Sequence, residues 1–160
     1  MLRPHTLDDF GASAAMWGDP EVTRHIGGRP FTPEEVWGRL LRYAGHWALL
    51  GYGFWVVEER LTGRFVGEVG LTDARRDLTP PLSAPEIGWV LSPGVHGQGY
   101  ATEAVRATLN WAAEHFGHAR TVCIIGLDNA ASLRVASRCG FREAGQAQYH
   151  GETVLKLERP

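Results

Sequence analysis

The sequence predicts an α/β protein, a mixed sheet with helices on both faces, and three observations carry that expectation. Apolar residues recur at helical spacing from Trp37 to Ala44, and after Gly51 the period changes to the strand-like runs GFWVVEER and RFVGEVGLTD. A strand pattern, EIGWVL (Glu86–Leu91), runs through a glycine-rich turn straight into a helix pattern, SPGVHGQGYATEA (Ser92–Ala104). Strand and helix patterns then alternate again before two closing strands, an order that covers a sheet on both sides. The length of 160 residues suits one domain, and residues 1–160 are read as a single unit.

Each element has a local reason. Thr6–Trp17 reads as a short helix with Thr6 as N-cap, and Asp19-Pro20 and Gly27-Gly28 punctuate the segment between it and the next helix. Thr32-Pro33-Glu34-Glu35 is a helix start: Thr32 caps, Pro33 suits the first turn, and Glu35 completes a capping box. That helix is expected to bury Trp37, Leu40, Leu41, Tyr43 and Ala44 and to stop near Gly51. GFWVVEER and RFVGEVGLTD read as a hairpin turning at Leu61-Thr62-Gly63. The prolines of Asp77–Ala84 make a loop. Ala101–Phe116 is amphipathic, with Ala101, Ala104, Val105, Thr108 and Ala112 on one side, and Gly117 ends it. TVCIIG is a buried strand, Asn129–Arg138 a helix closed by Gly140, and Phe141–Tyr149 and Thr153–Leu157 are strands.

Composition excludes several classes. The formal net charge of -2 shows no basic bias, so no nucleic-acid surface is expected. No run of about 18 apolar residues occurs, so no membrane span is expected, and the opening MLRPHTLDDF lacks the apolar region of a signal peptide. Cys123 and Cys139 lack metal-ligand spacing and read as buried free thiols of a cytoplasmic protein. His115, His118 and His150 have no metal-like spacing either, and no metal site is expected. Trp37, Trp47, Trp55 and Trp111 read mostly as core.

The glycine turn is the chemical signal. A helix N-terminus offers unpaired N–H groups and the positive end of the macrodipole, and glycines let a phosphate come close. A turn placed for geometry alone has the same composition. The absence of Gly-Lys-Ser/Thr excludes a Walker loop. The spacing Gly94-x-x-Gly97-x-Gly99 differs from the G-x-G-x-x-G of dinucleotide oxidoreductases.

EIGWVLSPGVHGQGYATEA resembles the acetyl-CoA-binding segment of the GNAT superfamily of N-acetyltransferases, whose Gln/Arg-x-x-Gly-x-Gly/Ala pattern maps onto His96-Gly97-Gln98-Gly99-Tyr100-Ala101. Asn129-Ala130-Ala131-Ser132, followed by Gly140-Phe141, resembles the N-x-x-S…GF segment of its RimJ/RimL-type branch, and the hairpin fits that branch too. Three positions depart from the pattern. His96 replaces the usual glutamine or arginine, Gln98 stands where a basic residue is common, and Ala136 takes a frequent tyrosine position.

The resemblance implies a GNAT fold of about six or seven strands. It implies transfer of an acetyl group from acetyl-CoA to a primary amine, a small molecule or a protein N-terminus, by direct attack in a ternary complex. Val90 and Leu91 are then expected to present backbone to the pantetheine arm where their strand splays from its neighbour, with an N–H near Val90 polarising the thioester oxygen. His96, Gly97, Gln98, Gly99, Ala101 and Thr102 would meet the diphosphate, leaning on backbone N–H groups. Asn129 would cap its helix and touch pantetheine. Ser132 would hydrogen-bond the departing thiolate, unless it bonds its own helix backbone.

The attacking amine must be neutral, and two strand carboxylates, Glu68 and Glu86, are candidate bases whose pKa burial is expected to raise. Each reads equally as a carboxylate satisfied by an arginine. Glu86 is preferred because it shares a strand face with Val90, four residues on. The acceptor side is expected from Thr6–Leu50 and Thr72–Pro85. Asp8, Asp9, Asp19, Glu21, Asp73 and Asp77 are either a cationic lining there or solvated surface. The alternative function is a catalytically weak acyl-CoA-binding module of the same fold, and the chain is read as a monomer or homodimer.

Overall fold

The computed structural model describes residues 1–117 and 120–160. His118 lies outside the described residues.

The chain opens with a two-residue strand, β1 (Leu2–Arg3), then a 3-10 turn at Leu7–Asp9 that leads into α1 (Phe10–Trp17). The expected Thr6 start holds, with a tighter first turn. Asp9 takes the Thr6 N–H at 2.8 Å while the Arg3 guanidinium grips both its oxygens at 2.8 and 2.7 Å. The Arg3 hydrogen bond holds the Asp9 carboxyl down at about 2. A single turn, α2 (Pro20–Thr23), is capped by Asp19, which accepts from the Glu21 N–H at 2.7 Å.

The long helix α3 (Pro33–Leu50) starts and stops where the sequence places it. Glu35 accepts from the Thr32 N–H at 2.8 Å, and Gly51 closes the helix at φ +74°. Its buried stripe is Val36, Leu40 and Tyr43, whereas Trp37 is 40% and Leu41 53% exposed. Leu40 and Tyr43 are buried as expected, while Trp37, Leu41 and Ala44 face outward, because the buried face is set by Val36 and its i+4 and i+7 neighbours.

The sheet has seven strands among the described residues, in the order β1-β2-β3-β4-β5-β7-β6. They are β2 (Phe54–Glu58), β3 (Phe65–Thr72), β4 (Glu86–Leu91), β5 (Thr121–Gly126), β6 (Arg142–Tyr149) and β7 (Glu152–Arg159). Every neighbouring pair is antiparallel except β4–β5. One face packs on α4 (Tyr100–Phe116) and α5 (Ala130–Arg138), burying Val69, Leu71, Ile87, Leu91, Val105, Leu109 and Ala136. The other is covered by α1 and α3, where Val90 meets Met16, Trp17 and Val36. Beside β5, a third cluster of Leu78, Ala147 and Val154 seats the β3–β4 loop on the β6–β7 hairpin, with the Gln148 N–H donating to Thr79 at 3.3 Å. Of the four tryptophans read as core, Trp55 is buried, and Trp47 and Trp111 pack against it at 4.8 and 4.9 Å between ring centroids.

Candidate active site

The parallel pair β4–β5 meets at one residue pair, Glu86 with Val122, supported by the Val122 N–H on the Pro85 carbonyl at 3.1 Å. Beyond it the two strands part, and the edge of β4 from Ile87 to Leu91 is left without a strand neighbour. The glycine turn sits at the wide end of this gap. Gly97 and Gly99 adopt φ of +76° and +88°, conformations that only glycine takes without strain, and a Cβ at either meets no atom within 4 Å. Packing therefore does not require glycine at these positions; the chain direction does.

That direction aims six consecutive N–H groups, from Gly97 to Thr102, away from every acceptor among the described residues. N–H groups gathered in this way at the N-terminus of a 17-residue helix suit an anion. The residues present suit a diphosphate, with one change. Gln98 donates to the Gly94 carbonyl at 3.1 Å and His96 Nε2 donates to the Leu91 carbonyl at 3.0 Å, so both side chains brace the turn.

The strand edge also differs from expectation by one residue. The Ser92 N–H donates to the Val66 carbonyl of β3 at 2.9 Å. Backbone groups two residues apart point the same way, so the Val90 N–H and carbonyl belong to the β3 ladder. Trp89 and Leu91 are the residues whose N–H groups face the gap. Val90 contributes a side chain beneath α1 and α3 instead of backbone contacts.

Glu68 pairs in register with Val90 and Glu86 with Thr72, so both glutamates lie on the α1/α3 face. Glu68 is 1% exposed. Ser13 Oγ donates to it at 2.6 Å, Trp17 Nε1 at 3.0 Å and Tyr43 OH at 3.1 Å, and His5 Nε2 lies 3.5 Å away. Burial pushes the carboxyl up, but the His5 imidazole and the Ser13 and Trp17 donors outweigh it, leaving the group below the usual carboxylate range. The upward shift expected of Glu68 is thus reversed, and its hydrogen-bond donors are Ser13, Trp17 and Tyr43, not an arginine. Burial and the Glu68 charge push the Tyr43 hydroxyl up, which keeps it a donor.

Glu86, by contrast, has its arginine. Arg76 Nε donates to its carboxylate at 2.6 Å, and Arg76 Nη1 donates to Tyr149 OH at 2.7 Å, tying the loop to β6. Arg76 and Glu86 border a cavity of about 310 Å³ whose lining includes Thr72, Asp73, Arg75 and Leu82. His46 of α3 reaches the same place, its Nε2 2.9 Å from Thr72 Oγ1. Neither His46 nor Thr72 stands out in the sequence, since a lone histidine on a helix has no local signature. Of the acidic candidates for a cationic lining, Asp9 is bound to Arg3, Asp19 caps α2 and Asp73 lies 3.5 Å from Arg75.

On the far side of the gap, Asn129 Oδ1 caps α5 by accepting the Ser132 N–H at 3.1 Å. Ser132 Oγ has no hydrogen-bond partner among the described residues, so the hydroxyl is not spent on its own helix. Ala136 is fully buried and offers no polar group. Cys123 and Cys139 are buried free thiols, and burial pushes the Cys123 thiol up to about 12. His115 stacks on Trp111 with ring centroids 4.2 Å apart, and His150 lies tilted against Tyr149 at 4.1 Å. Among the described residues no cluster of three or more His, Cys, Asp or Glu could hold a metal ion, and no helix is long and apolar enough to cross a membrane.

Known proteins share this architecture. Residues 1–142 match the acetyltransferase (GNAT) domain model. The chain is 30% identical over 112 residues to the uncharacterized protein YkkB of Bacillus subtilis, covering 69% of this chain and 59% of that one. It is 34% identical over 130 residues to the FsC-acetyl coenzyme A-N(2)-transacetylase of Aspergillus fumigatus, covering 77% of this chain and 54% of that one. It therefore spans little more than half the length of these two curated relatives. A crystal structure of an acetyltransferase from Agrobacterium tumefaciens superposes with a TM-score of 0.86 at 28% identity, covering 99% of this chain and 89% of that one. With the split strand pair, the glycine cradle and the family match in agreement, the chain belongs to the GNAT family of acetyltransferases.

Proposed function

We propose that this protein is an N-acetyltransferase of the RimJ/RimL-like type, moving an acetyl group from acetyl-CoA to a primary amine by direct attack in a ternary complex. The observation that carries this reading is the row of six N–H groups, unpartnered among the described residues, at the wide end of the β4–β5 gap. Acetyl-CoA supplies the activated acetyl group. Gly97, Gln98, Gly99, Ala101 and Thr102 hold the diphosphate through backbone N–H groups, while His96 and Gln98 fix the turn. The Trp89 and Leu91 N–H groups line the gap, where one of them polarises the thioester carbonyl. Across the gap, Ser132 Oγ donates a hydrogen bond to the departing sulfur, and Asn129 keeps α5 aimed at it. Glu86, anchored by Arg76, positions the acceptor amine in the cavity beside Thr72. Glu68 fixes α1 and α3 on the sheet.

The acceptor is a small-molecule amine or a protein N-terminus. Buried free thiols suit a reducing, cytoplasmic setting.

Two measurements test the reading together: calorimetry with CoA, and thiol release from acetyl-CoA with a panel of amines. Tight CoA binding and amine-dependent thiol release support it. Binding without thiol release from any amine points to a binding module, and absence of CoA binding removes the cradle assignment.

A further inference from the structure

Neither glutamate on the acceptor face is left to act as the base. Glu68 is closed over by its donors, and Glu86 is held by the Arg76 guanidinium at 2.6 Å. Among the described residues, the acceptor side holds a further base, His46, that makes no ion pair. We infer that Thr72 and His46 form a two-member relay that takes the proton from the acceptor amine, with Thr72 touching the amine and His46 positioning that hydroxyl and receiving the proton. The inference rests on the acetyl-transfer reading above.

The geometry settles the direction of the relay. His46 Nδ1 lies 2.8 Å from the Arg42 carbonyl, one helical turn back. A carbonyl only accepts, so Nδ1 carries the hydrogen. In the neutral ring Nε2 is then a bare lone pair, and the Thr72 hydroxyl, 2.9 Å away, donates to it. With its hydrogen committed to His46, the Thr72 oxygen presents its lone pairs to an amine N–H. Thr72 lines the 310 Å³ cavity, and it pairs in register with Glu86, the last residue before β4 and β5 part. An amine held by Glu86 in that cavity therefore lies beside both the hydroxyl and the mouth of the gap.

The step balances. The amine nitrogen bonds to the thioester carbonyl carbon as the C–S bond breaks. One ammonium proton passes to Thr72 Oγ1 as the hydroxyl proton moves to His46 Nε2, and from the imidazolium it goes to solvent. A second nitrogen proton ends on the CoA sulfur. Charged and titratable groups around the relay are Arg42 and Tyr43 on α3, Asp73, Arg75 and Arg76 on the loop, Glu86 on β4 and Tyr149 on β6.

The test uses the full chain with His46→Gln, Thr72→Val and Thr72→Ser. Wild-type kcat/KM is expected to fall on the acidic side. His46→Gln and Thr72→Val each lower kcat on the order of tenfold to a hundredfold, flatten that acidic limb and leave CoA affinity by calorimetry unchanged. The double variant is no worse than either single one, and Thr72→Ser retains most activity. Independently of turnover, nitrogen NMR of wild-type His46 places the hydrogen on Nδ1, and Thr72→Val shifts the Nε2 resonance. A His46→Gln enzyme with the wild-type rate and pH profile overturns the relay, as does a hydrogen found on Nε2. Failure of the wild-type chain to release thiol with every amine overturns the acetyl-transfer reading itself, and the relay with it.

Discussion

Glu68 and Val90 face each other across the β3–β4 ladder, and their side chains lie on the same side of the sheet, under α1 and α3. A buried carboxylate and a buried aliphatic side chain thus share one floor, and the carboxylate is what the helices grip. Ser13 and Trp17 reach it from α1 and Tyr43 from α3. Glu68→Gln is expected to cost about 2 kcal/mol, roughly 4–8 °C in melting temperature, because an amide puts donors where three donors already point. CoA affinity is expected to hold. A Glu68→Gln chain with unaltered melting temperature but a lost acidic limb in kcat/KM would return Glu68 to the role of base.

The turn before α4 makes a second expectation. Gly99→Ala places a Cβ on a residue at φ +88°, which strains the turn that aims the N–H row. Calorimetry is expected to show CoA binding at least fivefold weaker, about 1 kcal/mol. Gly94→Ala serves as the control, since Gly94 needs no left-handed backbone and its Cβ meets nothing within 4 Å. Equal CoA affinity in the two variants would show that the turn does not hold the diphosphate.

Ser132→Ala separates holding from chemistry. The hydroxyl has no partner of its own among the described residues, so its loss should leave α5 and its Asn129 cap intact. The kcat is expected to fall on the order of tenfold with little change in KM for acetyl-CoA. A change confined to KM would make Ser132 a cofactor contact only.

Acid stability is expected to depend on Asp9. Its folded pKa of about 2 lies below its ordinary 3.8. A depressed carboxylate contributes stability that is present above the unfolded pKa and lost as pH falls through the folded one. Asp9→Asn should therefore cost about 2 kcal/mol at pH 7 and progressively less from about pH 4 down to about pH 2. Urea melts at both ends of that window give the comparison, and a cost that is the same in acid as at neutral pH counts against the Arg3 pairing.

The thiols give a simple readout of burial. With its pKa pushed up to about 12, Cys123 is thiolate in about one molecule in ten thousand at pH 8. Burial also raises the Cys139 thiol. Ellman's reagent is expected to label neither in the native chain within minutes and both after denaturation. Rapid native labelling would mean that the core around them opens readily.

Signals that are local in the chain are legible in the sequence. Thr32-Pro33-Glu34-Glu35 and Gly51 bound α3 because a capping box and a left-handed cap are made by residues a few positions apart. The glycine turn is legible for the same reason. The partners of Glu68 are not, since they are brought from residues 13, 17 and 43 by helix packing. Nor is the inversion of its pKa, because burial and hydrogen bonding act in opposite directions and only geometry says which is larger. The backbone direction at Val90 turns on a single-residue phase that depends on register with β3. His46 is silent because its meaning comes from Thr72, 26 residues away.

The single-pair junction between β4 and β5 also bears on how long the protein lasts. The other ladders of the sheet are extended or lie at its short edge, whereas this central one holds by a single residue pair, so the halves β1–β4 and β5–β7 share little backbone bonding. On the proposed reading, a ligand seated between them would serve as a substitute strand. Occupancy at a hundred times its Kd adds about 2.7 kcal/mol to the unfolding free energy, a large fraction of what a domain of this size usually possesses. Resistance to heat and to proteolysis would then follow how full the cleft is, and turnover of the protein would be coupled to the supply of the molecule that fills it.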